Sequence, residues 1–134
     1  MTNGDALEHR ILIVEDNPLN MELATDILVA AGHTVLQAED GSTAIALVKS
    51  EKPALVLMDV SLPGMDGLQT TAVLKRDPQT KDIPVIALTA HAMKGDRESA
   101  LAAGCDDYLT KPIDAKLLFE TIRRFIDSQP ADTA

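Results

Sequence analysis

The sequence predicts an α/β fold, a single-domain (βα)5 protein with a five-stranded parallel sheet and helices on both of its faces. The main observation is that short apolar runs and segments of helical spacing alternate five times along 134 residues. The runs ILIV, LVLM and PVIAL are almost continuously apolar, which is typical of strands that are buried on both sides. The length suits one domain.

The first half of the chain contains two strand-helix units and the start of a third. Ile11 to Val14 is a β-branched apolar run, and a helix follows from Pro18 towards Gly32, which can end it. Thr34 to Ala38 predicts the second strand, and the turn and cap residues Asp40, Gly41 and Ser42 predict the start of the second helix. The apolar segment ALVLMD, which ends at Asp59, predicts the third strand.

The second half repeats the unit, and each helix has a recognisable boundary. Asp77-Pro78 stops the third helix, Gly104 ends the fourth, and Asp114 caps the last. The predicted elements are a helix over 67–76, a strand IPVIALTA, a helix MKGDRESALAAG, a short strand DYLT and a final amphipathic helix.

Composition and charge exclude several classes of protein. Hydrophobic residues make up 46% of the chain, and the net charge is -9. This acidic balance opposes binding to nucleic acid or to an anionic membrane surface. The lone Cys105 excludes an internal disulfide. We find neither a signal peptide nor an apolar run of membrane-spanning length, so the sequence predicts a cytoplasmic protein with no membrane insertion.

Polar residues follow four of the five predicted strands. Glu15 and Asp16 follow the first strand, Asp59 ends the third, Thr89 ends the fourth, and Lys111 follows the fifth. The carboxyl ends of parallel strands emerge at one edge of a sheet, where ligands of such folds bind. The sequence therefore predicts that three carboxylates, a hydroxyl and an ammonium group lie close together.

The chemistry of this set favours phosphoryl transfer. Two carboxylates about 4 Å apart repel each other by roughly 4 kcal/mol at an effective dielectric constant of 20, so three of them favour binding of a cation. Hard oxygen ligands favour Mg²⁺, which shares its coordination shell with phosphate oxygens. Lys111 and Thr89 can donate hydrogen bonds to a phosphoryl group, and a carboxylate can accept that group as a nucleophile.

Four motifs in order carry a resemblance to a known family. ILIVEDN, LVLMDVSLPGMDG, IPVIALTA and YLTKP resemble the successive motifs of the response regulator receiver domain, the CheY-like family of two-component signalling. The resemblance covers residues 9–127 and leaves 1–8 as an N-terminal extension and 128–134 as a C-terminal tail. It implies a flavodoxin-like sheet with the strand order 2-1-3-4-5.

The resemblance also implies a role for each residue at the predicted edge. Asp59 would be the phosphoacceptor. The Mg²⁺ ligands would be Glu15, Asp16, Asp59 and the backbone carbonyl of Ser61. Thr89 and Lys111 would bind the phosphoryl oxygens.

Two further features are implied beside this site. The bond between Lys111 and Pro112 would be a cis peptide bond. Tyr108 would be a switch residue that moves inward when Thr89 moves towards the phosphoryl group.

Each of these residues also has a purely structural interpretation. Asp59 could be a solvated acid at a strand end, Thr89 a β-branched strand residue and Lys111 a surface lysine. Tyr108 could simply pack against its neighbours. The coincidence of the whole set at one edge favours the functional interpretation for Asp59, whereas for Tyr108 the two stay nearly equal.

The function implied is that of a signalling module rather than a turnover enzyme. A histidine kinase or histidine phosphotransfer protein would donate the phosphoryl group from a phosphohistidine. A downstream protein target would then recognise the face formed by the fourth helix, the fifth strand and the last helix. With no attached output domain, a DivK-like regulator is expected, either monomeric or a weak phosphorylation-dependent dimer.

Three alternatives remain open at this point. The chain could be a receiver domain excised from a hybrid histidine kinase, or a pseudo-receiver that binds partners without being phosphorylated. A flavin- or nucleotide-binding enzyme on the same architecture is disfavoured. Such an enzyme needs a phosphate-binding loop after the first strand, where this chain has Glu15-Asp16-Asn17-Pro18.

Overall fold

The computed structural model describes residues 9–62, 64–90 and 94–127. The strands are β1 (Arg10–Val14), β2 (Thr34–Ala38), β3 (Leu55–Asp59), β4 (Val85–Thr89) and β5 (Asp107–Thr110). The helices are α1 (Pro18–Ala30), α2 (Gly41–Glu51), α3 (Gly67–Arg76), α4 (Lys94–Ala103) and α5 (Ala115–Asp127). The predicted extension 1–8 and tail 128–134 lie outside the described residues.

The five strands form one parallel sheet in the order β2-β1-β3-β4-β5, which confirms the predicted architecture and order. The chain moves outwards from β1 to β2 and then returns to the other side of β1 to form β3. The carboxyl ends of β1 and β3 therefore border the point where the winding reverses, the place where parallel sheets of this kind leave a crevice.

Alternation along the strands builds two separate hydrophobic cores. Ile11 and Ile13 of β1 lie in a core with the buried sides of α1 and α5. Leu12 and Val14 lie in the core on the opposite face, with α2, α3 and α4. Side chains of successive strand residues point to opposite faces, so an uninterrupted apolar strand supplies both cores at once.

Helix starts are fixed by the polar residues that the sequence places there. The side chain of Asp40 accepts a hydrogen bond from the backbone N–H of Thr43 at 2.8 Å, and Asp114 accepts one from Lys116 at 3.0 Å. Both caps confirm the prediction for α2 and α5. Within the part of the chain that the structure describes, no helix combines the length and apolar character needed to cross a membrane.

The fourth strand is shorter than its apolar run. The run begins at Ile83, but β4 begins at Val85. Pro84 has no N–H group to donate, although its carbonyl accepts a hydrogen bond from the Val56 N–H at 2.9 Å. The N–H of Val85 itself donates to the Asp106 carboxylate at 2.8 Å, which ties the starts of β4 and β5 together.

Candidate functional site

Three carboxylates meet at the carboxyl edge of the sheet, as the sequence predicts. One oxygen each from Glu15, Asp16 and Asp59 lies within 4.8 Å of the others. Glu15 and Asp59 are both 2% exposed, whereas Asp16 is exposed to solvent. The pairing of β1 with β3 brings these acids together from positions more than 40 residues apart in the chain.

Lys111 joins two of these acids from the other side of the site. Its Nζ lies 2.9 Å from Glu15 Oε1 and 3.2 Å from Asp59 Oδ2. The lysine follows β5, and its backbone N–H donates to the Thr89 carbonyl at 2.7 Å. The peptide bond between Lys111 and Pro112 is cis. One ammonium group therefore faces two buried carboxylates, one directly after β1 and the other at the end of β3.

Backbone N–H groups hold the remaining oxygens of the two buried acids. The N–H of Asn17 donates to Glu15 Oε2 at 3.1 Å. The N–H of Ser61 donates to Asp59 Oδ1 at 2.9 Å. Each buried carboxylate is thus bound by a backbone donor on one oxygen and by Lys111 on the other, which fixes its orientation.

Burial and charge act in opposite directions on the protonation of the site. Burial raises the pKa of the Glu15 carboxyl above its ordinary value, although the hydrogen bond from Lys111 opposes this change. For Lys111, burial alone would lower the pKa, but hydrogen bonds and charge from Glu15 and Asp59 outweigh it, so its pKa is raised. The lysine therefore stays cationic where the negative charge is concentrated.

Gly67 allows α3 to begin directly against the backbone of Asp59. A Cβ atom on Gly67 would lie 2.1 Å from the Asp59 carbonyl oxygen and 2.8 Å from the Val60 Cα. Both are main-chain atoms that cannot move aside without displacing the site. Asp66 caps α3 immediately before, in a capping box with Gln69. The start of α3 thus fixes the position of the Asp59 backbone at the carboxyl edge of the sheet.

The other predicted residues lie beside the acids at different depths. Thr89 is 5% exposed at the end of β4, next to β3 in the sheet. Ser61 is exposed in the loop after β3. Tyr108 is half-buried on β5, where it pairs with Ala87 and packs against the α2–α3–α4 side of the molecule. It borders the neighbouring face and is not part of the carboxylate cluster.

The donor set fits a hard divalent cation. Three carboxylates and one ammonium leave a formal excess of two negative charges at the site. All the candidate ligand atoms are oxygens, and His and Cys are not members of the cluster. Such a set suits Mg²⁺, which binds through one or two carboxylates and keeps positions for water and phosphate oxygens.

Sequence reasoning missed three contributors to this region. The sequence assigns Asn17 no role at the site, yet its N–H donates to the Glu15 carboxylate. The sequence predicts that a helix begins at Gly67, but nothing in it signals the contact with Asp59 except a glycine directly after a capping aspartate. Arg97 of α4, whose guanidinium lies 5.8 Å from the centre of the Tyr108 ring, has no sequence signal at all.

A parallel 2-1-3-4-5 sheet with paired acids after β1, an aspartate at the end of β3 and a lysine after β5 defines a class, the CheY-like receivers. The family model described as the response regulator receiver domain matches residues 11–123. The chain belongs to this family.

Relatives within the family make the position of the chain more specific. It is 43% identical to the polar-differentiation response regulator DivK of Brucella anthropi over 116 residues, which cover 87% of this chain and 94% of DivK.

Solved structures show the same architecture. The receiver domain of sensor histidine kinase PA1611 from Pseudomonas aeruginosa, which has a magnesium ion coordinated in its active-site cleft, superimposes with a TM-score of 0.85 at 37% identity, covering 90% of this chain and 99% of that one. Vibrio cholerae chemotaxis protein CheY4 gives a TM-score of 0.83 at 25% identity, covering 88% of this chain and 98% of its own.

Proposed function

We propose that this receiver accepts a phosphoryl group on Asp59 from a phosphohistidine in a Mg²⁺-dependent reaction and signals through altered protein contacts. The observation that carries the proposal is the position of Lys111, which contacts buried Glu15 and buried Asp59 at 2.9 and 3.2 Å. Burying two acids that share one lysine costs free energy, and costly arrangements of this kind cluster at functional sites. Transfer of a phosphoryl group to one of the acids is a function that this arrangement suits.

The transfer is a substitution at phosphorus. A carboxylate oxygen of Asp59 forms a new P–O bond while the P–N bond to the donor imidazole breaks. The electron pair of that bond returns to the imidazole nitrogen, which takes up a proton. Asp59 suits the role of nucleophile because the Ser61 N–H and Lys111 hold its two oxygens in one orientation before the donor arrives.

The residues that would hold Mg²⁺ are Glu15, Asp16, Asp59 and the backbone carbonyl of Ser61. When bound, Mg²⁺ supplies positive charge that neutralises the phosphoryl oxygens and the acids around them. Glu15 would serve from a fixed position, because its carboxylate is already held by the Asn17 N–H and by Lys111. Asp16, which is exposed, would meet the ion from the solvent side.

Lys111 and Thr89 would bind the phosphoryl oxygens once the acyl phosphate forms. The ammonium group would exchange its contact with the Asp59 carboxylate for a contact with the new phosphoryl group. Thr89, directly beside β3, would follow through its hydroxyl, and Tyr108 would then move inward. These movements shift the conformational population of the face formed by α4, β5 and α5.

The partners proposed are a histidine kinase or histidine phosphotransfer protein as donor and a downstream protein as target. The similarity to DivK along most of both chains supports a DivK-like response regulator. The similarity to the PA1611 receiver supports the alternative of a hybrid-kinase receiver. In either case the chain acts as a signalling module, monomeric or weakly dimeric when phosphorylated, rather than as a turnover enzyme.

The decisive experiment is incubation with acetyl phosphate and Mg²⁺ followed by intact mass measurement. We expect one phosphoryl adduct on the wild-type chain, none on Asp59→Asn, and none with EDTA in place of Mg²⁺. Asp82→Asn, which removes an exposed acid far from the edge, is the matched control and should label normally. A wild-type chain that takes no phosphoryl group from acetyl phosphate or from phosphorylated histidine phosphotransfer proteins would instead be a pseudo-receiver.

Lys111→Ala separates transfer from signalling. We expect this variant to retain some labelling at Asp59, because the acid and the metal ligands remain. It should fail to pass the change to the target-binding face, measured as partner affinity in the presence of beryllium fluoride. Wild-type partner binding by the phosphorylated variant would contradict the role given to Lys111.

A further inference from the structure

The fold places one cation over the only tyrosine of the chain. Arg97 lies on α4, and its guanidinium carbon is 5.8 Å from the centre of the Tyr108 ring. An arginine within about 6 Å of a ring centre is attracted by the negative face of the aromatic system. Arg97 itself is exposed, whereas the ring beneath it is half-buried.

The positions of both residues follow from the packing of α4 on the sheet. Ala100 is 3% exposed and anchors α4 in the core that Tyr108 borders. Arg97 is three residues before Ala100, and so it flanks the buried side of the helix. On β5, Leu109 belongs to the opposite core, which leaves Tyr108 facing α4.

We propose that Arg97 is a latch that holds the Tyr108 ring against α4 and thereby opposes the phosphorylated conformation. In the proposed function the Tyr108 ring moves inward, towards Thr89, and this movement takes it away from the exposed Arg97 guanidinium. The contact thus stabilises one of the two ring positions only. A contact made in a single state shifts the population towards that state, whatever its absolute strength.

The latch rests on the proposed function and adds a specific regulator to it. Because coupling is reciprocal, a residue that opposes the inward ring also weakens binding of a phosphoryl analogue at Asp59, by up to the same factor. A cation–π contact at an exposed arginine corresponds to a factor of about two to five in such an equilibrium. Arg97 would therefore set how readily this receiver becomes active, and not whether it can be phosphorylated.

The chain contains its own reporter for this proposal, since it has one tyrosine and no tryptophan. In the metal-free protein, acrylamide quenching of tyrosine emission measures how exposed the Tyr108 ring is. We expect the quenching constant to fall in Arg97→Gln, because the released ring moves inward. It should fall less in Arg97→Lys and stay the same in Arg123→Gln. Arg123 is a matched control because it is an exposed arginine on α5.

A second measurement tests the coupling to Asp59. Titration with beryllium fluoride in Mg²⁺, followed by the same emission, should give a midpoint about two- to fivefold lower for Arg97→Gln than for the wild-type chain. A quenching constant in Arg97→Gln that is equal to or higher than that of the wild-type chain, or a midpoint that is the same in both, would overturn the latch. If the wild-type chain formed no adduct with any phosphoryl donor or analogue while quenching still responded to Arg97→Gln, the proposed function would fail and the ring contact would stand.

Discussion

Two lysines of equal burial have different partners at the two edges of the sheet. The side chains of Lys75 and Lys111 are each 17% exposed. At the amino edge, Lys75 Nζ donates to the carbonyls of Lys81 and Ile83 and to Asp106 Oδ2, at 3.1, 2.9 and 2.9 Å. At the carboxyl edge, Lys111 faces the two acids Glu15 and Asp59.

The two lysines differ in how far each ammonium group neutralises the negative charge around it. Lys75 has three partners for its three N–H donors and carries one neutralising acid, so its surroundings are complete. Lys111 faces more negative charge than it can neutralise, with Asp16 close by. The hydrogen bonds and the charge at the amino edge are balanced, whereas the carboxyl edge keeps an excess of negative charge, as the proposed cation site requires. Equal burial therefore does not indicate equal function.

The largest effect should come from Gly67→Ala. The new Cβ would overlap main-chain atoms of Asp59 and Val60, and we expect a loss of about 3 kcal/mol in the free energy of unfolding, measured by urea denaturation. Gly32→Ala is the control, because its Cβ would meet no atom within 4 Å and only its φ of +94° is unfavourable. The control should cost about 1 kcal/mol. Equal losses would mean that the contact with Asp59 is not tightly packed.

Lys75→Met should break the amino edge without affecting the carboxyl edge. The variant keeps the apolar stem but leaves Asp106 and two carbonyls without their donor, and we expect a loss of about 2 kcal/mol in unfolding free energy. Labelling of the folded protein by acetyl phosphate should be unchanged. A labelling defect without a loss of stability would contradict the separation of the two edges.

Lys111→Met should destabilise the carboxyl edge in a way that Mg²⁺ can reverse. In EDTA, removal of the ammonium group leaves Glu15 and Asp59 to repel each other. We expect a loss of about 1 kcal/mol in the free energy of unfolding, because Glu15, whose pKa is already raised by burial, can take up a proton and so limit the repulsion. Addition of Mg²⁺ should raise the Tm of this variant more than that of the wild-type chain, since the cation takes over the missing charge. A Tm that does not change on addition of Mg²⁺ in either protein would argue against the proposed metal site.

The smallest effect concerns protonation at the amino edge. Burial, with a further contribution from the charge of nearby His9, lowers the pKa of His33 below its ordinary value of 6.5, and its buried Nδ1 has no hydrogen-bond partner. The folded state thus binds the proton more weakly than the unfolded state. Stability should fall as the pH decreases from about 6.5 towards the lowered pKa, and level off below it.

His33→Gln is the test of this pH dependence. Urea denaturation at a series of pH values should give a flatter profile for the variant than for the wild-type chain across the same window. Phosphoryl labelling at Asp59 should not depend on this substitution, because His33 lies at the opposite edge of the sheet from the acids. Identical pH profiles would show that another group is responsible.

Local patterns along the chain were enough to predict the fold and the residues at the carboxyl edge. Apolar runs at regular intervals specified a parallel sheet, and the residue after each run identified Glu15, Asp16, Asp59, Thr89 and Lys111, because strand ends in such a sheet share one edge. These are properties of local pattern, and they can be read along the chain. The strand order came from the resemblance to receivers rather than from any pattern.

The contacts that distinguish these residues depend on how the helices pack on the sheet. Lys75 has an acceptor for each of its three N–H donors, whereas Lys111 faces more negative charge than it can neutralise. The acceptors in both cases come from separate elements, and no spacing in the sequence encodes them. The same holds for Gly67 against Asp59 and for Arg97 over Tyr108, contacts that arise when α3 and α4 dock on the sheet. Contacts between elements depend on their relative positions, which are set by the packing of the whole core.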